Sequence, residues 1–114
     1  MTSIYLIGSL RNPKVREVAK ALRDAGHEVF DDWHAAGPEA DDRWQEYERE
    51  RGRSYIEAMK GYHADHVFQH DLKHLLARDT AVLVMPCGKS AHLELGYALG
   101  KGKKGYIILD REPE

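Results

Sequence analysis

Short strand-like runs that alternate with segments of helical periodicity are the feature that most constrains the fold of this chain. The strand-like runs cover residues 4–7, 27–30, 80–85 and 106–109. They have the length and the β-branched or aromatic content of strands, and helical spacing of apolar residues fills the segments between them. This alternation predicts a parallel sheet with right-handed crossovers. We therefore expect a small flavodoxin-like α/β fold of four to five parallel strands with flanking helices, in the order second, first, third, fourth strand.

The length of 114 residues fits one domain over residues 1–114. The second and third strands are separated by a charged helical insertion around residues 34–65. We expect a long helix from Asp41 onwards, interrupted at Gly61, with one aromatic and apolar side formed by Trp44, Tyr47, Tyr55 and Met59. A second helical segment, over residues 64–77, is expected to turn four apolar side chains inward, namely Phe68, Leu72, Leu75 and Leu76.

Composition excludes several classes of protein. The net charge of −2 is spread over mixed signs, which argues against a nucleic-acid or anionic membrane partner. Cys87 is the only cysteine, so a disulfide framework is excluded and a cytoplasmic location is expected. No apolar stretch approaches transmembrane length. No cofactor is expected. A small anionic ligand is compatible with the net charge of −2, because a local loop can bind an anion whatever the net charge of the chain.

The strand order puts a switch point between the first and third strands, where open α/β sheets bind ligands. The loop of Gly8, Ser9, Leu10 and Arg11 offers backbone amides, a hydroxyl and a guanidinium there, and the loop of Gly88, Lys89 and Ser90 faces it. Asn12 and Ser90 are expected to cap the helices that follow. Such loops suit a phosphate or a carboxylate, although ordinary helix caps would have the same composition.

Two acids and a phenol are the candidate catalytic groups. Glu94 and Asp71 each lie on the edge of an inward helical stripe, where a carboxylate is costly unless something uses it or pairs with it. Tyr5 lies on a central strand, and its hydroxyl needs a buried partner. Such a trio suits cleavage of a glycosidic bond, in which one carboxylate attacks the anomeric carbon. The alternative is a pair of capping or salt-bridging acids.

Histidines and a few isolated residues permit other interpretations. His66, His70 and His74, preceded by His63, recur on one helix face and could bind a metal, but we favour a solvated helix face and predict no metal site. The 31–33 segment (Asp-Asp-Trp) could touch a base or start a turn. Cys87 has no evident base partner and is interpreted as a packing residue.

At these residues the chain resembles the nucleoside 2-deoxyribosyltransferase family, whose superfamily also contains the 2′-deoxynucleoside 5′-phosphate N-hydrolases. The opening segment 4–11 is similar to the family's first strand and substrate loop, and the block from Asp71 to Lys101 is similar to its catalytic half. The most specific element is the Glu-Leu-Gly-Tyr-Ala segment at 94–98, together with the strand that precedes it.

The resemblance implies roles for individual residues. Glu94 would be the nucleophile that forms a covalent deoxyribosyl intermediate, Tyr5 would orient it, and Asp71 would hold the sugar or serve the leaving base. The pocket would be lined by Gly8, Ser9 and Arg11 on one side and by Gly88 and Ser90 on the other. In relatives, residues near the C-terminus complete a neighbour's site, and Asp110 and Arg111 are the candidates in this chain.

Other functions remain open at this point. A glycohydrolase acting on a larger nucleotide such as NAD would also need a glutamate near an anomeric carbon, and a non-catalytic nucleotide-binding module would use the long central helix as an interaction surface. Cations in both loops favour 5′-monophosphates over free nucleosides. The small sheet predicts a homodimer or a larger even-numbered homo-oligomer, with Trp44 and Tyr47 near a contact.

Overall fold

The computed structural model describes residues 2–112, apart from the side chain of His63. Its strands are β1 (Ser3–Ile7), β2 (Glu28–Phe30), β3 (Thr80–Val84) and β4 (Lys104–Ile108). The described residues form one four-stranded sheet in the order β2-β1-β3-β4, in which all neighbouring pairs are parallel. The predicted α/β class and strand order are confirmed, because each crossover segment forms helix as the sequence pattern indicates.

Helices fill the crossovers. They are α1 (Lys14–Asp24), α2 (Ala40–Glu50), α3 (Tyr55–Met59), α4 (Tyr62–Leu76) and α5 (Lys89–Gly100), and a short 3-10 helix spans Asp32–Ala36. None of the helices in the described range 2–112 combines the length and apolar character needed to cross a bilayer.

The sheet separates two cores. The side chains of Tyr5, Ile7, Ala81 and Leu83 pack on one face against α5 and the end of α4, which contribute Leu75, Ala91, Leu95 and Ala98. Those of Ile4, Leu6, Val82 and Val84 pack on the other face against α1. This alternation along β1 and β3 follows from the period-two geometry of strands that are buried on both faces.

The expected long helix after residue 40 is wrong, because the chain breaks between α2 and α3. Gly52 follows α2 with φ +77°, a conformation that favours glycine. Ser54 then caps α3 through a capping box in which it accepts a hydrogen bond from the Glu57 N–H, while the Glu57 carboxylate accepts one from the Ser54 N–H. Local caps therefore end the helix although the aromatic stripe continues beyond them.

Two of the four apolar side chains expected to turn inward from α4 do not. Leu75 is buried and Leu72 packs at the edge of the core, but Phe68 is 61% exposed and Leu76 is 43% exposed. Only the carboxyl-terminal turns of α4 reach the sheet, so the amino-terminal half has no core to bury against. Leu99 of α5 is 50% exposed and lies beside Gly105 of the edge strand.

Candidate active site

Tyr5 lies in the middle of β1 and is fully buried on the face covered by α4 and α5. Its ring stacks on that of Phe30 with centroids 5.3 Å apart. Burial raises the pKa of the Tyr5 phenol, and the nearby carboxylates of Glu94 and Asp71 raise it further. The phenol therefore stays protonated and can act as a hydrogen-bond donor toward the two acids.

Glu94 lies in the second turn of α5. The helix begins at Lys89 with Gly88 as its N-cap residue, so the expected Ser90 cap is wrong and Glu94 lies two residues further from the start of the helix than that cap implies. Burial raises the pKa of Glu94, interaction with the Tyr5 hydroxyl lowers it, and the Asp71 carboxylate raises it. The Tyr5 hydroxyl and the Glu94 carboxylate are close enough to influence each other's pKa. Their contact lacks the full geometry of the direct hydrogen bonds seen elsewhere in the described chain.

Asp71 reaches the same region from α4. It is half-buried, and burial raises its pKa, whereas the neighbouring His70 and His74 lower it. Two acids and a buried phenol thus meet above one sheet face, contributed by α4, α5 and β1. Two carboxyl groups that each resist ionisation can divide the roles of acid and base between them, because ionising one makes it harder to ionise the other.

The first loop is ordered by packing and local hydrogen bonds. A Cβ added to Gly8 would lie 3.1 Å from Val15 Cγ2 and 3.7 Å from the Trp33 ring, so the residue fits closely between α1 and the indole. Ser9 Oγ accepts a hydrogen bond from the Arg11 N–H. The Arg11 guanidinium is exposed and forms an ion pair of 2.9 Å with Asp42 of α2. An anion in this crevice would therefore compete with Asp42 for Arg11.

Asn12 is the organising residue that the sequence pattern did not reveal. Its Oδ1 accepts a hydrogen bond from the Lys14 N–H, as a helix cap would. Its Nδ2 donates to the carbonyl oxygens of Met85 (3.2 Å) and Pro86 (3.4 Å). The buried side chain of Asn12 therefore ties the loop after β1 to the loop after β3. An asparagine before a proline indicates a cap, but nothing in the pattern indicates its second contact.

Trp33 forms a wall at the same end of the sheet. Its indole N–H donates to the Leu6 carbonyl oxygen at 2.9 Å, and its ring packs against both cores. The half-buried ring lies beside Gly8, so an apolar surface borders the first loop. Of the two interpretations of the 31–33 segment, the observed 3-10 helix, which begins at Asp32, agrees with the start of a turn.

The second loop lies at the start of α5. Gly88, Lys89 and Ser90 are exposed there. The ring nitrogen Nδ1 of His92 donates to the Gly88 carbonyl oxygen at 2.8 Å, since a carbonyl can only accept. Cys87 contacts the Met85 sulfur at 3.6 Å, and burial raises the pKa of the Cys87 thiol. These contacts favour a packing role for Cys87 over a nucleophilic one.

The histidines of α4 form an aromatic cluster. His74 stacks on Phe30 at 4.1 Å, and His70 meets His74 edge-on at 4.6 Å. Arg78 donates to Nδ1 of His74, so the imidazole accepts at that nitrogen. Burial and the neighbouring cations His70, Arg78 and Lys73 lower the pKa of His74, while Asp32 raises it. Across the part of the chain that is described, no three His, Cys, Asp or Glu side chains are placed to hold a metal ion.

Two cavities lie away from these acids. One, of about 190 Å³, lies between α2 and α3 and includes Trp44 and Glu48 in its lining. The other, of about 640 Å³, lies on the α1 face of the sheet beside β4. The indole of Trp44 meets the Tyr55 ring edge-on at 5.9 Å, so Trp44 packs within its own subunit and leaves Tyr47 as the exposed aromatic side chain of α2.

Comparison with solved structures finds a 2-deoxyribosyltransferase of the psychrotolerant bacterium Bacillus psychrosaccharolyticus, described as a suitable biocatalyst for the industrial synthesis of antiviral and antitumoral nucleosides. The superposition has a TM-score of 0.58 at 21% sequence identity and covers 98% of this chain and 77% of that one. Neither a protein-family model nor a curated protein sequence matches the chain. The likeness shows that the two proteins share a fold.

Proposed function

We propose that this protein cleaves the N-glycosidic bond of 2′-deoxynucleosides or their 5′-monophosphates and belongs with the nucleoside 2-deoxyribosyltransferases. The observation that carries the proposal is the meeting of Glu94, Asp71 and Tyr5 above one face of the sheet. The fold shared with a 2-deoxyribosyltransferase supports it. If Glu94 and Asp71 had only a structural role, their burial would cost desolvation free energy without stabilising the fold.

In the proposed first step, a carboxylate oxygen of Glu94 attacks the anomeric carbon of the deoxyribose. The carbon–nitrogen bond breaks, and its electron pair passes to the leaving base, which takes up a proton. The raised pKa of Asp71 suits it to supply that proton or to hold a sugar hydroxyl. Tyr5, whose hydroxyl already lowers the pKa of Glu94, would complete a hydrogen bond to it and hold one carboxylate oxygen in line for attack.

In the proposed second step, a nitrogen of another base or a water molecule attacks the same carbon. The bond to Glu94 breaks, the carboxylate is regenerated, and the attacking group loses a proton to the acid that was deprotonated in the first step. Transfer and hydrolysis differ only in which nucleophile reaches the intermediate. The half-buried ring of Trp33, beside Gly8 of the first loop, is an apolar surface on which a second base could stack.

We further propose that 5′-monophosphates are preferred over free nucleosides. Arg11 and Lys89 are both exposed on the two loops that Asn12 holds together. The Arg11–Asp42 ion pair is exposed, and such a pair contributes about 0–1 kcal/mol. A phosphate forms charge-assisted hydrogen bonds of about 1.5–3 kcal/mol each, so it can displace Asp42. Specificity constants for one base with and without the phosphate test this, and equal values would contradict it.

Incubation with a panel of substrates tests the proposed function. Deoxynucleosides, deoxynucleoside 5′-monophosphates and NAD are supplied separately, with and without a second free base, and the products are separated by chromatography. Release of free base from a deoxy substrate supports the proposal, and exchange of the base identifies a transferase. If NAD were the only substrate cleaved, with release of nicotinamide, the protein would instead be a nucleotide glycohydrolase. Binding without turnover of any substrate would indicate a nucleotide-binding module.

Two further properties belong to the proposal. The single cysteine is compatible with a reducing cytoplasm, where we place the enzyme. We also propose that it is a homodimer or larger even-numbered oligomer, because large apolar side chains are exposed on several elements of the isolated chain, among them Tyr47, Met59, Phe68, Leu93 and Tyr106.

A further inference from the structure

The strand β4 forms an open edge of the sheet. It is the last strand in the order β2-β1-β3-β4, and all five of its residues are exposed. The Lys104 N–H donates to Asp79 O, and Ile108 O accepts from the Met85 N–H. Residues 104, 106 and 108 therefore direct their backbone groups toward β3. Because a strand alternates, Gly105, Ile107 and Leu109 direct theirs outward, where another strand could pair with them.

This edge lacks the features that usually prevent strand addition. No proline or bulge interrupts β4 within the described residues, and apolar side chains lie on both of its faces after Lys104, its first residue. Tyr106 (59% exposed), Ile107 (51%) and Leu109 (52%) are among the exposed apolar residues. The cation at position 103 is directed away from the edge, since the Lys103 ammonium donates to the carbonyl oxygens of Leu76 and Arg78. An exposed apolar edge of this kind can accept another strand.

A second copy of β4 fits the edge in one antiparallel register. When Ile107 lies opposite Ile107 of the second copy, Gly105 lies opposite Leu109, and all of these residues have outward backbone groups. Leu99 of α5 packs over Gly105 and occupies the space of a side chain there, because a Cβ built on Gly105 would lie only 2.6 Å from Leu99 Cδ2. Leu109 of the second copy would therefore cover the half-exposed Leu99.

Charge selects the same register. On the opposite face of the strand, Tyr106 lies against Ile108 of the second copy, and Lys104 lies beside Asp110 of the second copy, twice by symmetry. Lys104 is the first residue of β4, Asp110 lies two residues beyond its last, and both are exposed. Shifting the register by two residues in one direction would place Lys104 against Ile108, and shifting it in the other direction would pair Lys104 with Glu112 but place Asp110 against Tyr106. Only the register centred on Ile107 pairs Lys104 with Asp110.

We propose that β4 is a self-association edge, at which two copies of this chain pair antiparallel about Ile107 and form one continuous eight-stranded sheet. Tyr106 and Ile108 of each copy line the cavity of about 640 Å³ on the α1 face, so pairing closes one side of that cavity. The inference does not rest on the proposed reaction, because it uses only the backbone pattern, the apolar faces and the charges of β4.

Sedimentation of the full chain across micromolar concentrations tests the proposal, with charge exchange as the matched control. Lys104→Glu places a negative charge opposite Asp110 of the second copy, and Asp110→Lys places a positive charge opposite Lys104 of the second copy. Because like charges repel, each single variant should raise the dimer dissociation constant at least tenfold. The double variant Lys104→Glu/Asp110→Lys should restore it. Ile107→Lys places two like charges on the symmetry axis and should give a monomer, while Tyr47→Lys on α2 should not change the dimer.

Circular dichroism shows that each variant is folded before its mass is compared. A wild-type monomer at these concentrations would overturn the proposal. So would a dimer that is unaffected by all the β4 variants, or one abolished only by Tyr47→Lys, because either result would assign the contact to another surface.

Discussion

At Glu94, opposing effects set the protonation state of the proposed nucleophile. Burial and the Asp71 carboxylate raise its pKa, and the Tyr5 hydroxyl lowers it. A nucleophilic carboxylate must be ionised, so turnover should fall as the pH drops through this raised pKa. The fall should occur at a higher pH than for an ordinary glutamate.

The variant Tyr5→Phe removes the one group that lowers the pKa of Glu94. The acid limb of the pH profile of kcat/KM should therefore move to higher pH, and kcat should fall about 10- to 100-fold from loss of the orienting hydrogen bond. Measurement of kcat/KM from about pH 4 to 8 checks this. Tyr62→Phe, on an exposed ring of α4, is the matched control. An unshifted acid limb in Tyr5→Phe would show that the phenol does not act on Glu94.

Glu94 should also lower the stability of the protein at neutral pH. A carboxyl group whose pKa is higher in the folded state binds its proton more tightly there, so it stabilises the fold as the pH falls and costs stability above the folded pKa. Glu94→Gln removes this cost and should leave the free energy of unfolding at pH 7 unchanged or higher. Urea titration measures it. A loss above about 1 kcal/mol would instead indicate a structural role for the carboxylate.

Periodicity alone identified both acids, because a carboxylate on an inward helical stripe is recognisable from the spacing of its apolar neighbours. It could not identify Asn12, whose amide reaches two carbonyl oxygens more than seventy positions away in the chain. Contacts of that kind depend on how the loops approach each other, which the sequence pattern of either loop does not contain.

Among the elements, the loop after β1 and the loop after β3 depend on each other through Asn12. Asn12→Ala removes both the cap on α1 and the bonds to Met85 and Pro86, and should cost about 1–2 kcal/mol of stability together with most of the activity. Asn12→Ser keeps a cap acceptor but is too short to reach the carbonyl oxygens. Compared with Asn12→Ala, the Asn12→Ser variant should regain about half of the lost free energy of unfolding but none of the lost activity. Urea titration and turnover, measured on both variants, separate the two roles.

The break between α2 and α3 can be tested at Gly52. Its φ of +77° is strained for any residue with a Cβ, although nothing lies within 4 Å of the position. Gly52→Ala should therefore cost about 1 kcal/mol through the backbone alone. Gly100→Ala, also in open space but within a helix, should be neutral or stabilising. Equal effects of the two substitutions on the free energy of unfolding would contradict a required left-handed turn.

The sequence predicted the sheet better than the helices of residues 40–76. Strand order followed from the alternation of elements, which leaves few parallel topologies. The signals that end α2 were present in Gly52 and in the capping box of Ser54 and Glu57, but the aromatic stripe through Tyr55 outweighed them in the interpretation. The exposure of Phe68 could not be predicted, since it depends on how far α4 extends beyond the sheet.

For the whole molecule, the three candidate groups are contributed by β1, α4 and α5, so the site exists only in the folded domain. The chain also exposes an apolar edge strand and an apolar half of α4. A domain of this size has a modest core, and association would bury the apolar surface that the isolated chain exposes. Activity that falls on dilution below the dimer dissociation constant would link assembly to the site.

The central claim is that Glu94 is the nucleophile, and the release of free base by Glu94→Gln tests it most directly. The substitution keeps the shape of the side chain and removes its negative charge. With the substrate that the panel identifies, we predict that kcat falls at least about a thousandfold while the fold is retained. Glu46→Gln, on an exposed face of α2, should retain the wild-type rate. A Glu94→Gln variant that released base at the wild-type rate would contradict the account.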